Sequence, residues 1–503
     1  MGCKPVIREA PFESLLSLPL RNGLTKPKAQ RGSGVKMISM GELFSSDRIG
    51  HMPMDRVPVT DKELELSSIV PADLLFARQS LVLEGAGKCC LVREVSEPTV
   101  FESHLIRARV DRSKAEPEYL YYFFKSLQGR ERIASIVEQV AAAGIRSKDL
   151  AKLSVPCPEL DFQHRVVGLL SCIDDKIDAN IKLNGYLAEL AQTIYNDWFR
   201  DFGHWGGQMP SHWETGVLGD YVTVKRGGSP RPIQEYLSDE GLRWLKIADV
   251  SGISGPYILE IKEHIKEEGL RKTVHLEPGS LVLSNSATPG IPKILSIDTC
   301  IHDGWLYFPQ SQFTNEWLYC YFLNVRQELV RMANGSVFQN LKTDIVKNFE
   351  VIRPDDETLA SFQEMVAPLF NLMESCQKEN KQLADLRDTL LPKLMSGEID
   401  VSQVDLTQLN SHLAELWLRE KWSQELAMVV KGPSRTFFPH AIFSVARNHP
   451  ASSSGVLARL EENHQETAWV KEATSTLWAK SVGTPWGMSH TLRANSTASF
   501  SEK

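Results

Sequence analysis

Two stretches of the chain present the same landmarks in the same order, Phe162-Gln163 being echoed by Phe362-Gln363 two hundred positions later. Arg21-Asn22-Gly23 is answered by Lys225-Arg226-Gly227, the apolar Val35 to Leu43 by Trp244 to Val250, and Pro71-Ala72-Asp73-Leu74-Leu75-Phe76 by Pro278-Gly279-Ser280-Leu281-Val282-Leu283. Glu118-Tyr119-Leu120-Tyr121-Tyr122-Phe123-Phe124 is matched by Glu316-Trp317-Leu318-Tyr319-Cys320-Tyr321-Phe322, and Gly85 with Lys88 pairs with Gly290 and Lys293. A repeat of this length, a globular segment and then a helix, means that one supersecondary plan was used twice and that each copy must cover the other's exposed apolar surface or its own.

Both copies end in a long helical run. From Asp161, placed to cap a helix after Pro156-Cys157-Pro158, to about Phe199 there is no proline. Val166, Leu170, Ile173, Ile177, Asn180, Asn184, Leu187, Ala191, Ile194 and Trp198 recur at spacings of four and three, a heptad seam. The second run opens at Pro354-Asp355-Asp356, follows Phe362, Met365, Leu369, Leu372, Cys376, Glu379, Leu383, Leu386 and Leu390, and closes at Pro392 and Gly397. Pro368 interrupts it, predicting a kink or restart. If the helices lie antiparallel, Asn180 and Asn184 fall near Cys376 and Glu379, where polar seam residues fix register. The alternative is that each helix packs its stripe on its own globular segment.

The segments at about 20–157 and 214–353 mix short strands with helices, predicting an α+β fold in each copy. Strands are expected at Val35 to Met40, Leu81 to Leu83, Leu105 to Val110, Trp244 to Val250, Ser280 to Leu283 and Leu306 to Phe308, and the aromatic segments at 119–124 and 317–322 as core. The expected division is a first globular domain at 1–160, a long helix at 161–206, a second domain at 207–357, a second long helix at 358–406, and a tail at 407–503, with a short amphipathic helix over Leu413 to Trp422 and then disorder.

With 503 residues, 42% of them hydrophobic, the chain can bury several cores. No stretch approaches the roughly 20 apolar residues of a membrane span, the first ten residues lack a secretory core, and the chain reads as cytoplasmic. Its net charge of -7 argues against a generic nucleic-acid coat, so any contact with DNA must come from local basic patches. The eight cysteines show no spacing suited to zinc, and no metal site is expected. No Asn/Asp-Pro-Pro-Tyr/Phe string, Walker loop, HExxH or GxSxG appears; Gly85-Ala86-Gly87-Lys88 lacks P-loop spacing. No catalytic residues are assigned.

This combination resembles the specificity subunit of type I restriction-modification systems. The resemblance covers residues 20 to about 406 and adds Ser147-Lys148-Asp149-Leu150, Thr343-Asp344-Ile345 and the ending Leu391-Pro392-Lys393-Leu394-Met395-Ser396-Gly397-Glu398-Ile399 to the landmarks above. It implies two mixed α/β target-recognition domains separated by two long helices that form an antiparallel coiled coil. Each domain would read one half of a bipartite sequence in double-stranded DNA, and the helices would set the spacer and dock two methyltransferase (modification) subunits, with motor-nuclease (restriction) subunits joining for cleavage. The chain itself would hold no cofactor, the complex using S-adenosylmethionine, ATP and Mg through other subunits. Two departures stand out: the first domain lacks the tryptophan-led start that Trp213 gives the second, and residues follow the expected end. A non-catalytic coiled-coil scaffold, or an inactive truncated or fused specificity subunit, would show the same repeat.

Family motifs cannot name base-reading residues, but cationic and amide side chains in glycine-bearing loops suit that chemistry, Arg or Lys facing guanine and Asn or Gln facing adenine. In the first copy these are Arg21, Asn22, Lys26, Lys28, Arg31, Arg78, Gln79, Lys88, Arg146 and Lys148; in the second, Lys225, Arg226, Arg231, Asn285, Lys293, Gln339, Asn340 and Lys342. Taken singly, each also fits a solvated surface group. The helix-pairing set is Ile173, Ile177, Asn180, Asn184 and Leu187 against Leu369, Leu372, Cys376, Glu379 and Leu383.

Overall fold

The computed structural model describes residues 7–139, 142–250, 252–253, 255–333 and 340–401; the expected Leu413–Trp422 helix and Gln339 lie outside them. In the first domain, β1 (Glu9–Pro11), β2 (Leu16–Asn22), β3 (Arg48–Ile49), β4 (Leu74–Ala77), β5 (Cys89–Val92) and β6 (Leu105–Val110) precede α1 (Pro117–Lys125), α2 (Ser147–Lys152) and β7 (Ser154–Pro156). The long α3 (Leu160–Phe199) follows. The second domain repeats the plan with β8 (Glu214–Val217), β9 (Val222–Arg226), β10 (Tyr257–Ile258), β11 (Leu281–Ser284), β12 (Pro292–Leu295), β13 (Trp305–Ser311), α4 (Asn315–Ala333), α5 (Thr343–Lys347) and β14 (Glu350–Arg353), then α6 (Asp356–Met395).

The two main sheets have the same strand order, β2-β6-β4-β5-β3 and β9-β13-β11-β12-β10, and each ends in a parallel edge pair, Arg48 facing Leu91 and Tyr257 facing Ile294. Each domain is closed by a two-stranded ribbon joining its first and last strands, β1 with β7 and β8 with β14. The ribbon brings Glu9–Pro11, upstream of the first repeated landmark, into the first domain, and Phe12 sits fully buried against Phe76 and Phe124 at ring distances of 5.9 and 5.1 Å. Gly23 and Gly227 explain two of the repeated landmarks. A Cβ on either would lie 2.0 or 2.3 Å from a backbone carbonyl, of Phe101 or of His302, so only glycine lets the strand end pass there.

Tyr119 to Phe124 and Trp317 to Phe322 are buried throughout, as core. Other expectations need correction. Leu81 to Leu83 form no strand: they project into solvent, Leu81 being 98% exposed. Trp244 to Val250 is strand only to Leu245 and then a 3-10 turn. The repeat pairing at Gly85 and Lys88 shifts, because it is Gly87 and Gly290 that donate to Ala77 and Ser284 with φ +67 and +79, and Lys293 occupies the position of Cys90 in the ladder.

The two 40-residue helices each reach about 60 Å at about 1.5 Å per residue. They pair antiparallel. Asn180 Nδ2 donates to Glu379 Oε2 and Asn380 Oδ1, both at 2.8 Å, and Asn184 Nδ2 to the Met373 carbonyl at 3.3 Å. Asp174, buried on α3, accepts from Arg387 on α6 and from the Tyr122 hydroxyl of the first domain, each at 2.8 Å. Leu369, Leu372, Cys376, Ile173 and Leu187 are buried, Ile177, Glu379 and Leu383 half-buried, while Leu386 leaves the seam at 48% exposed.

Pro368 causes neither break nor restart, and Pro392 lies inside the helix, which ends when Gly397 adopts φ +68. Proline in a helix interior costs roughly 3 kcal/mol, here offset by the burial of Leu369 and Phe370 beside it. α3 begins one residue before Asp161, which instead faces Arg165 from the first turn at 2.9 Å. On α6, Asp355 is a true cap, accepting from the Thr358 amide at 2.8 Å.

Each domain is clasped by the start of one helix and the end of the other. Val166 and Leu170 with Leu391, Leu394 and Met395 complete the first core, and Leu183 to Phe199 with Leu359 to Cys376 complete the second. Both sequence alternatives thus hold at once: the helices pair with each other and with the domains. Removing one member of a buried ion pair strands the other, at roughly 3–5 kcal/mol. Asp174→Ala should lose stability on that scale in urea unfolding, and Leu386→Ala, outside the seam, should lose far less.

Candidate nucleic-acid interface

In the second domain β9, the start of β13 and the segment leading into α5 enclose an open cleft of about 650 Å³. On β9, Lys225 is carried to the rim by alternation with the buried Val222 and Val224, and Arg226 follows at the strand's exposed end. Opposite stand Asn340, Lys342 and Lys347, with Tyr307 and Asn285 between. The structure therefore gathers Lys225, Arg226, Asn285, Asn340 and Lys342, five of the residues selected from the sequence, around one cavity. Lys225, Lys342 and Lys347 form no ion pair among the described residues, and Asp344 is the one carboxylate among the residues lining the cleft, so its rim is net positive.

Arg226 and Arg231 are arranged by Asp303, a residue the sequence gave no cause to select. Its carboxylate takes the Ser229 hydroxyl at 2.7 Å, Arg231 at 3.1 Å and Arg226 at 3.8 Å, and the Arg226 Nε also donates to the Asp303 carbonyl. Burial alone would raise that carboxyl, but the Ser229 hydrogen bond and the two guanidinium charges win and hold it below its ordinary value. Beside it, burial lowers the His302 imidazole.

Lys293 is a correction. It is 5% exposed and faces inward, its ammonium donating to the carbonyls of Ile253 and, at a closer approach, Gly255. Unlike Asn285 it is not among the residues lining the cleft, and its ammonium is spent on those two carbonyls. In the first domain the equivalent Cys90 thiol makes the same kind of contact with the carbonyls of Leu43 and Ser46, so both side chains pin the loop beneath the sheet edge.

The first domain has a matching cleft of about 610 Å³ between β2 and α2. Lys148 stands on its wall among Leu16, Leu18 and Leu20, and Asn22 at the end of β2 is tied to α2 by the Ser147 hydroxyl at 3.1 Å. The other selected cations are more dispersed and mostly paired: Lys26 with Glu63 at 2.9 Å, Arg31 with Asp55 at 2.8 Å, Lys88 with Asp47 at 3.0 Å, and Arg146 with Glu138. Arg21 lies beside Arg107 across the strands, Lys28 is exposed, and Gln79 Oε1 meets His104 Nδ1 at 3.0 Å. Nothing in residue type announced this difference. Ion pairing depends on which carboxylates the fold brings near.

Comparison with known proteins adds a family. Residues 210–386 match the model of the type I restriction modification DNA specificity domain. The type I restriction enzyme MjaIX specificity subunit of Methanocaldococcus jannaschii is 23% identical over 401 residues, 76% of this chain and 90% of its own. The HindI specificity subunit of Haemophilus influenzae is 20% identical over 409 residues, covering 66% and 87%. The EcoKI specificity subunit of Escherichia coli is 29% identical over 217 residues, covering 41% and 44%. Among solved structures, the S subunit of a type I restriction-modification system from M. genitalium superposes with a TM-score of 0.48 at 16% identity, over 78% of this chain and 97% of that one.

The buried lysine gives a pH-dependent test. Burial pushes the Lys293 ammonium down to about 8, while in the unfolded chain it titrates near 10.4. Between these values the unfolded state binds more protons, so the lysine's contribution must become more favourable as pH rises. The stability of the native chain relative to Lys293→Met, followed by urea unfolding, should increase from pH 7 to pH 10.

Proposed function

We propose, for a chain whose residues 210–386 match the model of the type I restriction modification DNA specificity domain, that it is the DNA sequence-specificity subunit of a type I restriction-modification complex. One observation carries the reading: two domains of the same plan, each with a cleft between its first sheet strand and the helix before its closing strand, are held at opposite ends of one antiparallel helix pair.

A rigid strut fixes the separation of two readers, so helix length becomes the gap between half-sites of a bipartite target, on the scale of the ~34 Å duplex turn. At each end, unpaired lysines at the rim hold phosphates without reading sequence, and side chains deeper in the cleft meet base edges. In this reading the chain carries out no chemistry. The exposed flanks of the helices dock two methyltransferase subunits, and motor-nuclease subunits join them; S-adenosylmethionine, ATP and Mg are bound by those partners.

The test is methylation mapping by single-molecule sequencing in cells lacking other methyltransferases, with this chain expressed beside its methyltransferase partner. A new methylated split motif of fixed gap is expected; none, with both proteins intact and associated, would leave a protein scaffold or an inactive subunit. Lys225→Ala with Arg226→Ala should weaken binding across sequences and reduce the slope of log affinity against log salt by about 2, at about 0.9 per phosphate contact.

A further inference from the structure

The two domains hold different side chains at one equivalent position. Arg78 and Asn285 each follow the central strand, β4 or β11. The Arg78 amide donates to the His104 carbonyl at 2.8 Å and the Asn285 amide to Gly304 at 2.9 Å. Their own carbonyls accept from Ile145 at 2.9 Å and Leu341 at 2.7 Å, the residues leading into α2 and α5. Four backbone bonds in matching places thus anchor both residues, and only the side chains differ.

Asn285 is 3% exposed and lines the basic cleft. Its Nδ2 donates to the Asp303 carbonyl at 3.1 Å, which fixes the amide plane, while its Oδ1 is buried with no hydrogen-bond partner among the described residues. A buried acceptor left bare costs roughly 1–3 kcal/mol, which a donor entering the cleft would restore. A phosphate has no proton to offer at neutral pH, so the surrounding lysines and this oxygen call for different groups. The exocyclic amine of a base is a donor of the right kind. Adenine N6 would satisfy Oδ1, while the second Nδ2 hydrogen is free for N7. Arg78, by contrast, brings only donors, has no carboxylate partner among the described residues, and makes one long contact, from Nη1 to the Ser103 carbonyl at 3.4 Å. Its fork matches the paired O6 and N7 acceptors of guanine.

We propose that Arg78 and Asn285 are the equivalent specificity-determining residues of the two domains, Asn285 reading an adenine and Arg78 a guanine; this rests on the DNA-reading function proposed above.

The experiment is methylation mapping with the full chain and its methyltransferase partner, comparing the native protein with Asn285→Ala, Asn285→Asp and Arg78→Ala. Asn285→Ala should relax one adenine position in one half-site, with discrimination there falling about ten- to hundredfold, the scale of a lost bidentate contact. Asn285→Asp, which keeps the shape and the acceptor but loses the donor, should lose preference at that same position. Arg78→Ala should relax a guanine in the other half-site. If the variants change no position, loosen all positions alike, or act in the same half-site, the assignment is overturned while the native motif still stands. A native protein that yields no motif overturns the DNA-reading function itself, and the assignment with it. Should Asn285→Ala fail to accumulate, the isosteric Asn285→Asp and the independent Arg78→Ala still decide the matter.

Discussion

At the middle of the helix pair, polar groups cut off from water must find one another across the seam. Asn180 is fully buried and its amide reaches Glu379 and Asn380 on the opposite helix, while Asp174, one and a half turns earlier, holds Arg387. Sliding one helix by a single turn would separate all of these groups at once and leave buried donors and a buried charge without partners, which is far costlier than the modest net gain of the bonds themselves. Apolar seam residues alone would tolerate several registers. The polar centre selects one, and the positions of both domains depend on it.

That dependence is direct because the domains share the helices. The second core contains the end of α3 and the start of α6, and the first contains the start of α3 and the end of α6. Tyr122, by bonding Asp174, links the first domain to the register lock itself. Two residues before Glu379, Gln377 of α6 exchanges hydrogen bonds with the backbone of Tyr257 at 3.2 and 3.1 Å, fixing the edge strand of the second sheet. Under the proposed function, clefts that meet two half-sites at a set separation gain from such bracing, since misplacement by about an ångström weakens directed hydrogen bonds.

The clefts themselves share a framework and differ in lining. Gly23 and Gly227 allow the same strand end in both, and the backbone anchors of Arg78 and Asn285 coincide. What varies is the lining: a leucine-walled cleft with Lys148 in one domain, a lysine-rimmed one with Tyr307 in the other. Under the proposed function, a duplicated scaffold of this kind can change its two specificities separately, because the backbone anchors coincide while the linings differ.

Much of this was legible in the residues. The heptad spacing from Val166 to Trp198 and from Phe362 to Leu383 gave both helices, and the polar residues interrupting it marked where they cross, because periodicity is a local property that burial can only reinforce. The repeated aromatics declared themselves as core for the same reason. Pro368 misled, since a proline's cost is local while the packing that outweighs it is not. Leu81 to Leu83 looked like a strand, but composition does not reveal whether a partner strand exists. Lys293 looked like a surface cation, and only the ladder register shows that it points inward to the carbonyls of Ile253 and Gly255. Sequence determined the duplicated architecture and its two long seamed helices; tertiary structure alone decided that they pair with each other as well as with the domains, which cations are neutralised, and that Asn285 keeps an acceptor unanswered among the described residues, because those facts depend on neighbours far apart in the chain.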